Sequence, residues 1–522
     1  MASISGTSVE GSASAERPIQ PDTRMRQGLI LGLIIVLGAI AGLASARLPL
    51  MIIVGIIGAV GLFALIYHNL QIGIILFLIL NLTLPQAGPG LNLGLQMAVV
   101  GETQGLHFNI HEIIMAMVLV AWLIQVFLKK AEWKTRSPLM IPVVLYILTS
   151  ILASFVGLLN DAKPLLVAFR FTRTVIFVYL FFVFINIVRK RKQLQQLVVV
   201  LLICVTLVSA FGLMQKVMGQ AWTETVSAKA LKKLGYPSQV NYVAGGEGEN
   251  QAYRINSTFL HPNVLGAYLI LALPFFVSLL WLYRKWWQSL LLGAGLLIML
   301  SCLFLTGSRA AWIGAGVVAL IYGVMGFFDK RMILTVITVI LVIAVLFAII
   351  KPPAFVKQRF VSLSATQASK ARLYQYKLAV DFFMAHPFFG VGMGMEGQML
   401  RSNSIVTLWA AVENVYLTYL VSHGLIGFIP FLLLFVVFMG MLLISRNNSK
   451  DDPFMRYYSE AFLLGLVGFA VSAFFGAWLL FAIPMVTLFW AFLGMGACLY
   501  NMYKESAPES AHAPLELPLL EP

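Results

Sequence analysis

Three basic motifs carry most of the polar chemistry of this sequence. They read Arg254-Ile255-Asn256-Ser257-Thr258-Phe259-Leu260-His261-Pro262-Asn263, then Thr306-Gly307-Ser308-Arg309, then Arg372-Leu373-Tyr374 leading to His386-Pro387-Phe388-Phe389-Gly390-Val391-Gly392. Each has an arginine beside long apolar runs. Arginine keeps its charge at any accessible pH, and next to a bilayer that charge is costly unless it meets an anion. Guanidinium forks match phosphate oxygens two at a time, so the ligand chemistry these motifs point to is a phosphate.

The elements that position them belong to a membrane protein. The chain has 522 residues, 60% hydrophobic and 11% charged, with a mean hydropathy of +0.90. Soluble domains carry about 25% charged residues. The net charge of +15 does not call for nucleic acid, because the Lys and Arg fall mostly in short connections between apolar runs, where membrane insertion places them. Cys204, Cys302 and Cys498 all lie inside apolar segments and imply neither a disulfide framework nor a zinc site.

Fold class is therefore all-α and polytopic, with about 12–14 transmembrane helices. Apolar spans are expected at 28–44, 48–67, 70–84, 113–128, 139–158, 174–188, 197–214, 264–282, 290–306, 312–328, 332–350, 425–444, 461–478 and 484–500. The first of these reads as a retained span rather than a cleaved leader, since another apolar run starts at Leu48. Residues 1–27 and 504–522 are polar tails expected to be disordered, and 28–503 form the membrane domain.

Basic residues at Lys129–Arg136, Arg189–Lys192, Arg284-Lys285, Lys330-Arg331 and Arg446–Lys450 fall on every second connection. These loops and both termini are then cytoplasmic. Two long loops, at 216–262 and 351–424, face outward together with Arg309, so the three motifs converge on one side of the membrane. In the second loop, Ser364-Ala365-Thr366-Gln367 resembles a capping box opening a helix that His386-Pro387 ends. On it Arg372, Gln375, Tyr376 and Ala379 share one face, and Leu373, Lys377 and Val380 another. Gly390, Gly392 and Gly394 allow a tight turn close to a ligand or another backbone.

Taken with Glu413-Asn414-Val415-Tyr416-Leu417 and His423-Gly424-Leu425-Ile426-Gly427, the order and spacing of these motifs resemble the O-antigen ligase and O-antigen polymerase superfamily over about residues 254–444. The resemblance implies a glycosyltransferase of the bacterial inner membrane, GT-C-like in fold, with its active site open to the periplasm. Its donor would be a glycan on undecaprenyl diphosphate and its acceptor a glycan or lipid. Polysaccharide assembly and export proteins are implied partners beside the membrane lipids. The reaction implied is inverting and metal-independent, with no cofactor.

Displacing a lipid diphosphate from an anomeric carbon calls for charge stabilisation of the leaving phosphates and a base for the attacking hydroxyl. Arg309 and Arg372, with Arg254, fit the first requirement, and the outward loops offer no Asp-x-Asp pair to hold a metal. Where the family usually carries His-Asn, this chain has Glu413-Asn414. A carboxylate can serve as base if burial lifts its pKa from about 4.3. Glu413 is thus the candidate base, with His261 and His423 as rivals, and Asn263, Asn414 and Tyr376 are candidates for acceptor or sugar binding.

Structural readings stand beside these: Arg309 snorkelling at a helix end, Arg372 and Arg254 as solvated loop charges, His261 as a helix-start residue, while Arg170 and Arg173 read equally as further diphosphate ligands or as structural residues. A polymerase is preferred to a ligase on the number of spans and the extended first outward loop. A transporter of bicarbonate or lipid-linked sugar is the competing class, but Glu112, Asp381 and Glu460 read as lying at span edges or in loops rather than at mid-membrane depth.

Overall fold

The computed structural model describes residues 50–84, 90–99, 102–131, 133, 137–223, 225–226, 254–259, 261–283, 285–326, 367–395, 412–476 and 483–506. Two compact units divide the chain, Met1–Leu65 and Ile66–Pro522. The first contributes most of helix α1 (Leu50–His68), and all contacts below lie within the second.

The second unit continues through α2 (Leu70–Thr83), strands β1 (Gly90–Val99) and β2 (Glu102–Asn109), α3 (Ile110–Phe127), α4 (Met140–Leu159), α5 (Pro164–Thr174), α6 (Tyr179–Ile187) and α7 (Arg191–Met218). Then follow α8 (Pro262–Leu282), α9 (Trp286–Leu305), α10 (Arg309–Gly326), α11 (Gln367–Ala385), α12 (Val415–Asn447), α13 (Pro453–Ala473) and α14 (Ile483–Ser506). Among the described residues, eight helical segments are long and apolar enough to cross a membrane: α3, α4, α5 running into α6, α7, α8, α9, α12 and α14. The protein is a multi-pass, essentially all-α membrane protein. The expected spans at 28–44 and 332–350 lie outside the described residues, as do the tail at 1–27, the tail at 504–522 beyond Ser506, where Lys504–Ser506 are helical, most of the loop at 216–262 and the capping box at 364–366.

Two departures from the sequence reading have physical causes. Strands β1 and β2 form an antiparallel hairpin in which Gly90 pairs with Asn109 and Val99 with Glu102. Leu91, Leu93, Leu95, Met97 and Val99 alternate with small or polar residues, the period of a strand rather than a helix. The span expected from about Leu425 is preceded by a short helical stretch from Val415, inside the loop expected at 351–424; α12 is these two stretches joined across Gly424, whose φ of +61° and ψ of −166° are not helical.

That break is held by a backbone latch. Val391 and Gly392 donate their amides to the carbonyls of Val421 and Ser422, and Leu425 and Ile426 donate theirs to Pro387 and Phe388, at 2.8–3.2 Å. The carbonyls and amides freed by the kink are thus satisfied inside protein, as a membrane interior demands. Met393 ties the same loop to Ala153 of α4 at 2.8 Å, and the Asn160 amide donates to the Val391 carbonyl at 3.0 Å. A Cβ on Gly390 would fall 2.5 Å from the Val421 oxygen, and one on Gly392 or Gly424 would collide with the backbone of Gly157 or Phe388. The close partner of this glycine turn is another backbone, one of the two alternatives the sequence left open.

Helix α8 is apolar all round and buried almost throughout. Gly465 and Gly468 let α13 approach it closely, and a Cβ on Gly465 would sit 2.8 Å from the Leu271 oxygen. This packing carries the start of α8 to the start of α10, where Gly266 leaves room for Ala311 and Ser308.

Candidate active site

Four segments far apart in sequence meet at this junction. Arg254 is buried and pinned: its Nε donates to the Thr306 carbonyl at 2.7 Å and its Nη2 to Asn263 Oδ1 at 2.6 Å. Thr306-Gly307-Ser308-Arg309 forms the turn between α9 and α10. Gly307 supplies φ +59°, the Thr306 hydroxyl accepts from the Ser308 amide at 3.2 Å, and Ser308 Oγ accepts from the Ala311 amide at 3.4 Å. The turn therefore both anchors Arg254 and delivers Arg309 at the first position of α10. Arg309 is half-buried, and among the described residues its guanidinium has no hydrogen bond or ion pair.

Arg372, on the inward face of α11, forms an ion pair with Glu413, the residue just before the α12 cap. Tyr376, one turn further on, places its hydroxyl between the carbonyls of Glu413 at 3.0 Å and Phe474 at 3.2 Å. The expected division of α11 is seen: Gln375 and Ala379 are buried while Leu373, Lys377 and Val380 are exposed. Burial raises the Glu413 pKa above the usual carboxylate value, opposed by the positive charges of Arg372, Arg254 and Arg309. All three arginines act on this one carboxyl, so the cluster holds three positive charges against one negative.

The other candidates separate from this group in instructive ways. His261 is the N-cap of α8, its Nδ1 accepting from the Asn263 amide at 3.1 Å. Asn263 is occupied with Arg254. Asn414 caps α12 by accepting from the Leu417 amide at 3.1 Å. His423 lies buried at the α12 kink, bonded through Nδ1 to Ser422 at 2.7 Å and stacked on Tyr419. Eight residues of helix, about 12 Å of rise, separate it from the start of α12. It is not brought to the arginines. Arg170 is buried in α5, whose Val167 packs on Gly394. The sequence missed the Thr306 and Phe474 carbonyls, which hold Arg254 and Tyr376. A motif of side chains cannot announce the backbone groups it will use.

Glu460 lies beside the C-terminal end of α12 and is fully buried in α13, where its Oε1 receives Arg446 Nε at 2.8 Å and faces Arg456 Nε at 3.6 Å. Asp381 is exposed on α11, and Glu112 lies in the first turn of α3.

A multi-pass helical bundle thus gathers Arg254, Arg309 and Arg372 around the half-buried carboxylate of Glu413. Residues 294–432 match the family described as O-antigen ligase. The matched segment contains Arg309, Arg372, Glu413 and His423, whereas Arg254, His261 and Asn263 precede it. No curated protein matches the chain significantly.

Proposed function

We propose that this protein is a glycosyltransferase that moves a glycan from undecaprenyl diphosphate onto another lipid-linked repeat unit at the outward, periplasmic face of the bacterial inner membrane. The observation that carries this reading is the convergence of Arg254, Arg309 and Arg372 on Glu413, with Arg309 in no hydrogen bond or ion pair among the described residues. A net positive site at a membrane protein's helix ends fits a lipid diphosphate, and the family match supports lipid-linked glycan chemistry.

In the donor-free chain Arg372 is held by Glu413. The diphosphate binds Arg309 and competes for Arg372, while Arg254, fixed by the Thr306 carbonyl and Asn263, adds charge from behind. Release from Arg372 frees the Glu413 carboxylate. It removes the proton of the acceptor hydroxyl as the oxygen attacks the anomeric carbon from the face opposite the diphosphate. The bond from that carbon to the phosphate oxygen breaks, and undecaprenyl diphosphate leaves with its new charge on the arginines. The proton remains on Glu413 until water removes it. Inversion at the anomeric carbon follows from this single displacement.

The family description favours a second acceptor, the core of a lipid A, which would make the protein a ligase by the same chemistry. Reconstituted membranes with undecaprenyl diphosphate-linked repeat units as sole substrate separate the readings. A ladder of lengthened lipid-linked glycans supports the polymerase. Transfer only after lipid A core is added supports the ligase, and transfer to neither sinks the enzyme reading.

A further inference from the structure

The buried polar group left without a use in this account is Gln375. Its side chain is wholly enclosed, and among the described residues neither its amide oxygen nor its amide nitrogen has a hydrogen-bond partner. An unpaired amide in such surroundings is strongly unfavourable, so buried polar groups of this kind are few and each has a reason. The reason lies in what shares its face. Arg372, three residues earlier, reaches the Glu413 carboxylate, and Tyr376, one residue later, reaches the Glu413 carbonyl. Ala379, one turn on, packs with Val391, Val412 and Val421 of the latch. Gln375 therefore stands where the charged end of this face gives way to its apolar end, about 4.5 Å of helix rise from the proposed phosphate ligand Arg372. The first sugar of the donor is attached directly to the diphosphate and lies within that reach.

We infer that Gln375 is a specificity-determining residue that hydrogen-bonds an uncharged polar group on the first sugar of the donor. This rests on the diphosphate reading of the arginine cluster. An amide offers a donor and an acceptor side by side, so its complement is an acetamido group or a pair of neighbouring hydroxyls. For the sugar to reach it the enclosed amide must be uncovered, a step assigned to displacement of Arg372 from Glu413 by the diphosphate. A site built to hydrogen-bond its substrate discriminates strongly against one that lacks the group, because its own polar atoms are then left unpaired.

The test compares native chain with Gln375→Leu and Gln375→Asn in reconstituted membranes, measuring transfer from undecaprenyl diphosphate-linked repeat units, melting temperature, and binding of sugar-free undecaprenyl diphosphate. The Leu variant is expected to lose about tenfold in kcat/KM for the donor, as one hydrogen-bonded group is lost. Its melting temperature should hold or rise, since an unpaired amide has been replaced by an apolar group, and sugar-free lipid should bind as before. Asn, with the same amide on a shorter stem, should retain more transfer than Leu. Native-rate transfer by the Leu variant overturns the inference. So does a fall in melting temperature with matching loss of sugar-free lipid binding, which marks a packing residue. A native chain that transfers nothing sinks the glycosyltransferase reading itself, whereas active native chain with an indifferent Leu variant sinks this inference alone.

Discussion

Helix α12 has an arginine–carboxylate cluster at each end, and the two are built on opposite plans. At its C-terminal end Arg446 and Arg456 share the fully buried Glu460, and Ser459 donates to Ser445 at 3.0 Å beside them. Those residues are 14 and 4 apart in sequence, so the cluster clasps two consecutive helices. Before its N-terminal end, Glu413 meets Arg372, under the influence of Arg254 and Arg309, from segments with no local reason to be adjacent. Among the described residues positive charge here exceeds negative by two, and the Arg309 guanidinium has no hydrogen bond or ion pair. A local clasp with every charged head in contact holds a fold together. A long-range gathering of surplus charge leaves something to bind.

The comparison predicts the largest effect for Arg309→Ala. Removing an unpaired arginine should leave the melting temperature unchanged while turnover falls about 10³-fold, the scale of losing one preorganised charge contact in a transition state, roughly 4 kcal/mol. At the other end, Glu460→Gln should do the reverse. Breaking a buried pair costs about 3 kcal/mol or more, which thermal melting reads, while transfer per folded molecule stays native. If Glu460→Gln instead abolished transfer at full stability, the division between clasp and site would fail.

A pH profile sharpens the same contrast. A base works deprotonated, and burial holds the Glu413 pKa above its ordinary value. Activity should therefore rise with pH along a limb displaced above the usual carboxylate value of about 4.3, and this limb should vanish in Glu413→Gln. A limb that persists in that variant assigns the base elsewhere. The smallest effect belongs to His261→Ala. Loss of a helix cap lowers stability by about 1 kcal/mol, with the pH profile of transfer unmoved.

Much of this was legible in the sequence, and the exceptions share a cause. The helical spans on described residues follow from hydropathy, and the arginines of the three motifs were placed on one side by alternation of basic loops. Polar residues with a local partner were read less well. His261 and Asn414 stand in catalytic-looking motifs yet cap α8 and α12, because a cap and a catalyst draw on the same residue types. The role of Gly390 and Gly392 was open because their partners are remote: Asn160 and Val391 are 231 residues apart. The β1–β2 hairpin was readable in its period of two but was submerged in a chain scanned for apolar windows. The burial of Glu460 was not legible because one of its two arginine partners, Arg446, comes from the preceding helix.

The most direct test of the central claim is equilibrium binding of undecaprenyl diphosphate to native chain, Arg309→Ala and Glu413→Gln in detergent micelles. If the cluster is a diphosphate site in which carboxylate and lipid compete for Arg372, Arg309→Ala binds at least tenfold more weakly. Glu413→Gln, though inactive, binds about fivefold more tightly, because a partly exposed ion pair worth about 1 kcal/mol no longer opposes binding. Native affinity in Arg309→Ala, or weaker binding in Glu413→Gln, would contradict the account.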